Sequence, residues 1–125
     1  MAEGNVFACH STEAWRSKLQ EAIDTKRLVA VDFTATWCGP CRVIGPVFVE
    51  LSKKFPEIFF LKVDVDELRD VAQEWDVEAM PTFIFIKDGK AVDKVVGAKK
   101  DDLERKVAAL AAAATTTEAT LPAQA

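Results

Sequence analysis

The sequence predicts an α/β fold, a mixed β-sheet with helices packed on both faces. Three observations carry this. Short apolar, β-branched runs alternate with longer segments whose apolar residues recur at helical spacing, the pattern of strand–helix–strand crossovers. The run Ile58-Phe59-Phe60-Leu61-Lys62-Val63-Asp64-Val65 is largely apolar on both faces, which suits a parallel strand covered by helices on either side. Lys87-Asp88-Gly89-Lys90 reads as a hairpin turn, which adds an antiparallel strand to the crossover-built sheet.

Each element can be justified in order. Val6-Phe7-Ala8-Cys9 reads as a short first strand. Ser11 can cap the helix that follows, with Glu13 in its first turn and Trp15, Leu19, Ala22 and Ile23 as one apolar stripe. That helix ends near Asp24-Thr25, and a buried strand covers about residues 28–34. From about Arg42 to Phe55 a second helix places Val43, Val47, Leu51 and Phe55 in a stripe, with Ile44 and Phe48 beside them and Pro46 as a kink. After the third strand, Glu67 to Trp75 forms a short helix with Leu68, Val71, Ala72 and Trp75 on one face. A strand over Met80–Ile86 opens with Pro81, and Ala91–Val96 returns antiparallel to stop at Gly97. Lys100–Ala113 makes a last helix with Leu103, Val107 and Leu110 inward. Residues 114–125 are Ala/Thr-rich with Pro122 and read as a disordered tail behind a single domain over 1–113.

The chemistry concentrates in Trp37-Cys38-Gly39-Pro40-Cys41. This run joins a buried strand to a helix, so Cys38 faces the unpaired N–H groups of a helix start. A helix N-terminus favours the thiolate, which is the nucleophilic form. Cys38 is therefore the exposed end that attacks a partner disulfide, and Cys41, one turn inside, resolves the mixed disulfide. Gly39 keeps the approach open, and Pro40 suits a first helical turn because it needs no donor.

Two other uses of the pair stand beside this. A structural zinc site needs four ligands, and the inventory is only Cys9, His10, Cys38 and Cys41. Cys9 and His10 are adjacent in a strand and point to opposite faces, which works against such a site. A purely structural disulfide closing so short a loop constrains the unfolded chain little. Haem attachment needs a histidine after the second cysteine, and Arg42 stands there.

Composition narrows the remaining classes. The chain has 125 residues, enough for one domain with a real core; half are hydrophobic and 29% charged. A net charge of −4 gives nucleic-acid binding no electrostatic support. No apolar run suits a membrane span. Met1-Ala2-Glu3-Gly4-Asn5 does not read as a signal or transit segment, and three cysteines do not make a stapled secreted fold. A cytoplasmic setting is expected.

On these residues the chain resembles the thioredoxin family, and most of all the plant h-type cytosolic members. The landmarks are Trp37-Cys38-Gly39-Pro40-Cys41, Asp32, Lys62, Met80-Pro81-Thr82, Lys87-Asp88-Gly89 and Val96-Gly97-Ala98, over about Val6 to Leu110. The resemblance implies the thioredoxin fold, a central five-stranded mixed sheet flanked by four helices in three layers. It implies a protein-disulfide reductase with no bound cofactor. Its Cys38-Cys41 pair cycles between dithiol and disulfide and is recharged by an NADPH-dependent thioredoxin reductase. The chain has no Gly-rich dinucleotide fingerprint of its own, so electrons must arrive from a partner.

The same resemblance assigns roles to single residues. Asp32 would handle the proton of Cys41, with burial raising its pKa and Lys62 as its partner. From the residues alone, Asp32 could equally be a strand carboxylate with an ordinary donor, and Lys62 a snorkelling lysine. A cis bond before Pro81 would free the Met80 backbone to pair with an extended target. Trp37, Gly39, Pro40, Met80, Pro81, Gly97 and Ala98 would complete a shallow docking surface for disulfide-containing proteins. Trp15 and Trp75 are expected in the packing. Cys9 departs from the minimal pattern: buried, it is inert; exposed, it could link a dimer or accept glutathione. A monomer is expected. An oxidase or isomerase of the secretory pathway, and a non-catalytic binding module on the same fold, are the competing functions.

Overall fold

The computed structural model of the chain describes residues 4–124, and the side-chain surroundings of residues 4–113. The element order is β1 (Val6–Cys9), α1 (Thr12–Asp24), β2 (Val29–Thr34), α2 (Gly39–Lys54), β3 (Phe59–Asp64), α3 (Arg69–Glu74), β4 (Thr82–Lys87), β5 (Lys90–Val96) and α4 (Lys100–Gln124). The five strands form one sheet in the order β1-β3-β2-β4-β5. β3 pairs parallel with both β1 and β2, while β4 runs antiparallel to β2 and β5. This is the mixed sheet the sequence predicts.

Strand alternation divides the core in two. Ala30, Phe60, Phe83 and Phe85 pack with Ile44, Phe48 and Leu51 of α2 and Leu103 and Val107 of α4. Val29, Val31, Phe33, Leu61 and Val63 pack on the other face, with Trp15 and Ala22 of α1 and Val71 of α3. Asp32 shares the parity of Ala30, so a carboxylate stands on the face that carries α2. Trp15 and Trp75 are packing residues, ring to ring at 6.1 Å.

Local chemistry sets the boundaries. The Ser11 side chain accepts the Ala14 N–H at 3.0 Å and starts α1. Asp88 and Gly89 both take positive φ, +54° and +79°, as a tight hairpin turn requires. The N-terminus is clipped to the far end of α2, where the Asn5 amide donates to Ser52 Oγ at 3.0 Å and Asn5 Nδ2 to the Ser52 carbonyl at 3.0 Å.

Four expectations need correction. The inward face of α2 is Cys41, Ile44, Phe48, Leu51 and Ser52, and Val43 is 75% exposed. Cys41 must face inward, and the positions three and seven residues on share its side, which rotates Val43 outward. α3 starts at Arg69 rather than Glu67, because the Asp66 and Glu67 amides donate to Asp64 Oδ1 in a turn. β4 starts at Thr82, so Pro81 precedes the strand instead of opening it. α4 also runs past residue 113 to Gln124: Ala111–Ala114 are strong helix formers, and the helix continues beyond them through four threonines and Pro122.

Candidate active site

Cys38 is the N-cap of α2, with Pro40 in the first turn. Its Sγ accepts the Cys41 N–H at 3.2 Å, in the place an N-cap oxygen usually takes. The two cysteines form a disulfide, with Cα atoms 5.3 Å apart. An extended N-cap residue followed by a helical turn brings side chains at this spacing together. A turn before the helix, closed by the Cys38 N–H on the Ala35 carbonyl at 3.2 Å, aims Cys38 there.

The expected contrast in exposure is absent. Cys38 and Cys41 are 5% and 6% exposed and sit in a small cluster with Ala35. Cys38 is covered because its Sγ lies 3.7 Å from the Met80 carbonyl oxygen. The two sulfurs differ in the polar groups around them rather than in accessibility.

Met80 and Pro81 are joined by a cis peptide bond. Pro81 is buried, and its carbonyl accepts the Gly97 N–H at 2.8 Å, which locks the Met80-Pro81 corner to the end of β5. Gly97 takes φ +100°, a conformation that favours glycine. Gly39, Pro40 and Ala98 are exposed and Met80 is half-buried. Trp37 is 63% exposed, high for an indole, and its Nε1 donates to Asp66 at 2.8 Å.

Behind the disulfide, a cleft of about 1050 Å³ is bounded by α2 and by β1, β2 and β3. Cys41, Asp32 and Lys62 all line it. Asp32 is 4% exposed, and its Oδ1 has no hydrogen-bond partner. Burial pushes its pKa up to about 7, and the Lys62 charge offsets only part of that rise. Asp32 and Lys62 are register partners on β2 and β3, yet they form no ion pair among the described residues, and Lys62 is exposed. A carboxyl with a pKa near neutrality can take up or release a proton at physiological pH, and this one shares the cleft with the inner cysteine.

Cys9 borders the same cleft but is buried and unpaired in the covalent sense. Burial pushes its thiol up to about 11, against a weaker pull from Lys18. His10 lies just past the end of β1 rather than in the strand, and its Nδ1 meets the Glu67 carboxylate at 3.0 Å at the surface. No group of three or more His, Cys, Asp or Glu side chains that could hold a metal occurs among the described residues.

Sequence reasoning missed Asp66 and Asp64. Asp66 holds the Trp37 indole, and Asp64 Oδ1 accepts the Asp66 amide at 2.8 Å to fix that loop. The available signal was a carboxylate at a strand end followed by two more acids, an Asx-turn pattern.

The family profile described as Thioredoxin matches residues 6–109. The thioredoxin H-type of Picea mariana is 99% identical over 125 residues, covering all of both chains. Thioredoxin H1 of Arabidopsis thaliana is 59% identical over 106 residues, 85% of this chain and 93% of that one. Among solved structures, a thioredoxin from Nicotiana alata superposes with a TM-score of 0.81 at 48% identity, covering 86% of this chain and 93% of that one. A poplar thioredoxin h does so with a TM-score of 0.82 at 46% identity, covering 86% and 96%. Agreement in sequence and in backbone spans almost everything folded around the disulfide, and on that ground the chain belongs to the thioredoxin family, among its plant h-type members.

Proposed function

We propose a division of labour within the established chemistry of a thiol–disulfide oxidoreductase. In the reduced protein, the Cys38 thiolate attacks one sulfur of a target disulfide. The target's second sulfur leaves as a thiolate, and a mixed disulfide forms. Cys41 then gives its proton to the Asp32 carboxylate and attacks Cys38 Sγ. This closes the Cys38–Cys41 disulfide and releases the target as a dithiol. Two electrons have passed to the target.

The single observation that carries this reading is the N-cap position of Cys38, with the Cys41 amide donating to its sulfur. That N–H and the helix dipole favour negative charge on Cys38, and on no other cysteine. Asp32 as proton acceptor is supported by its place in the cleft with Cys41 and by its raised pKa. Lys62 acts through Asp32 by charge rather than by a direct bond.

Targets dock on Trp37, Gly39, Pro40, Met80, Pro81, Gly97 and Ala98. Support comes from the exposed indole and from a Met80 carbonyl already in contact with Cys38. Recharging comes from an NADPH-dependent thioredoxin reductase, dithiol to disulfide. The protein works as a monomer in the cytoplasm, since burial withholds Cys9 from intermolecular pairing and a reducing compartment preserves a free thiol. The working domain is residues 1–113, with 114–125 outside it; the last buried side chain among those described is Ala111.

Cys41→Ser tests the order of events. With a disulfide-bonded protein such as insulin it should accumulate a covalent adduct through Cys38, while Cys38→Ser forms none. Normal turnover by the Cys41 variant would reverse the roles.

A further inference from the structure

Arg42 stands in the first turn of α2, where a cation faces the positive end of the helix dipole. Its charge is misplaced for helix stability, and the structure gives it another use. Arg42 Nη2 donates to the Thr36 carbonyl at 2.8 Å. Thr36 and Trp37 are the central residues of the turn that the Cys38 N–H closes on the Ala35 carbonyl. Arg42 therefore ties that turn to the helix, and its bridge from 36 to 42 encloses the covalent bridge from 38 to 41. Both bridges brace one junction, and reduction opens only the inner one.

We propose that Arg42 is a positioning residue for the dithiol state, its bond to Thr36 holding the turn against the helix once the disulfide is open. Cys38 then stays at the N-cap, where the Cys41 amide can stabilise its thiolate. In the disulfide state the covalent ring imposes the same geometry, and the brace is redundant. A thiolate gains more from that amide than a disulfide sulfur does, so holding Cys38 in place shifts the equilibrium toward the dithiol. In that equilibrium a reductant dithiol supplies two electrons and two protons. The Cys38–Cys41 S–S bond breaks, both sulfurs are reduced, and the reductant closes its own disulfide. The inference rests on Cys38 and Cys41 being the pair that cycles.

The test uses the full chain with Arg42→Met and Arg42→Lys, equilibrated against dithiothreitol at fixed pH, with urea unfolding of each redox form. Arg42→Met should lower the equilibrium constant for forming the dithiol by roughly three- to tenfold, the worth of one hydrogen bond. The midpoint of the reduced form should fall further than that of the oxidised form, which also contains the bond, and the two measurements must close one thermodynamic cycle. Arg42→Lys, which keeps a charge and a donor, should recover part of the loss. The shift should persist in concentrated salt, where a bare charge effect is screened. An unchanged constant with equal destabilisation of both forms would overturn the brace, as would a shift that salt abolishes. A wild-type disulfide that dithiothreitol could not open would instead overturn the reading of the redox pair itself.

Discussion

Cys9 and Cys38 are almost equally buried, and they border the same end of the molecule, yet their chemistry is opposite. Cys9 ends a strand whose backbone groups are committed to β3. Its sulfur meets apolar side chains, and desolvation keeps it a thiol at any physiological pH. Cys38 begins a helix, where an N–H is left over and points at its sulfur. Burial alone thus says little about a cysteine; what matters is whether dipoles accompany it inside. Cys41 lies between these cases: it is buried and borders the cleft as Cys9 does, but it stands in the first turn of α2 and is bonded to Cys38.

The comparison can be broken most directly by substitution of the sulfurs. Cys38→Ser should abolish reduction of a protein disulfide, whereas Cys9→Ser should leave the rate within about twofold, since none of the reacting atoms changes. Measuring both on insulin checks this, and comparable losses would end the distinction.

A smaller effect is expected from the carboxyl behind Cys41. Asp32→Asn should slow release of the mixed disulfide about 100-fold, a typical contribution of a general base. The wild-type release rate should rise with pH through about 7, where Asp32 loses its proton, and the variant should lack that rise. Stability gives a second readout with a definite sign. Because the folded pKa lies above the unfolded one, the folded state holds the extra proton between about 4 and 7, and stability falls as pH rises across that window. The penalty above it is on the order of 4 kcal/mol. Asp32→Asn should therefore gain on the wild type as pH rises from 4 to 8 in urea unfolding, and a constant difference would argue that Asp32 is an ordinary satisfied carboxylate.

Asp66→Ala should have a milder consequence. It frees the Trp37 indole, and KM for a protein target should rise about two- to tenfold, with alkylation of Cys38 by iodoacetamide unchanged. A matching loss in alkylation would place Asp66 at the sulfur rather than at the docking face. Cys9→Ser should change stability rather than rate, with a loss of about 1–3 kcal/mol from putting a hydroxyl where the sulfur meets apolar groups. Thermal unfolding of the reduced protein measures it.

Most of the fold was legible because each element carries its own signal. The two-sided apolar run of β3 and the Asp88-Gly89 turn specify a parallel strand and a hairpin without help from elsewhere. The motif at Cys38 was legible for the same reason, being contiguous. What could not be read were contacts across sequence. Val43 and Ile44 are both apolar, and only the inward aim of Cys41 decides which one is buried. Asp66 meets Trp37 across twenty-nine positions, and nothing local marks that hydrogen bond. The sequence places Cys38 in the open because it starts a helix with Cys41 one turn inside, while the group that covers it comes from Met80.

β1 is only four residues long, lies at the sheet edge and pairs with β3 alone. A short edge strand of this kind can leave while the rest of the sheet and the disulfide stay in place. Each departure hydrates Cys9 and returns it to the acidity of a free thiol. The rate at which a thiol reagent labels Cys9 in the native protein therefore counts the openings of this edge, as amide exchange of residues 6–9 would.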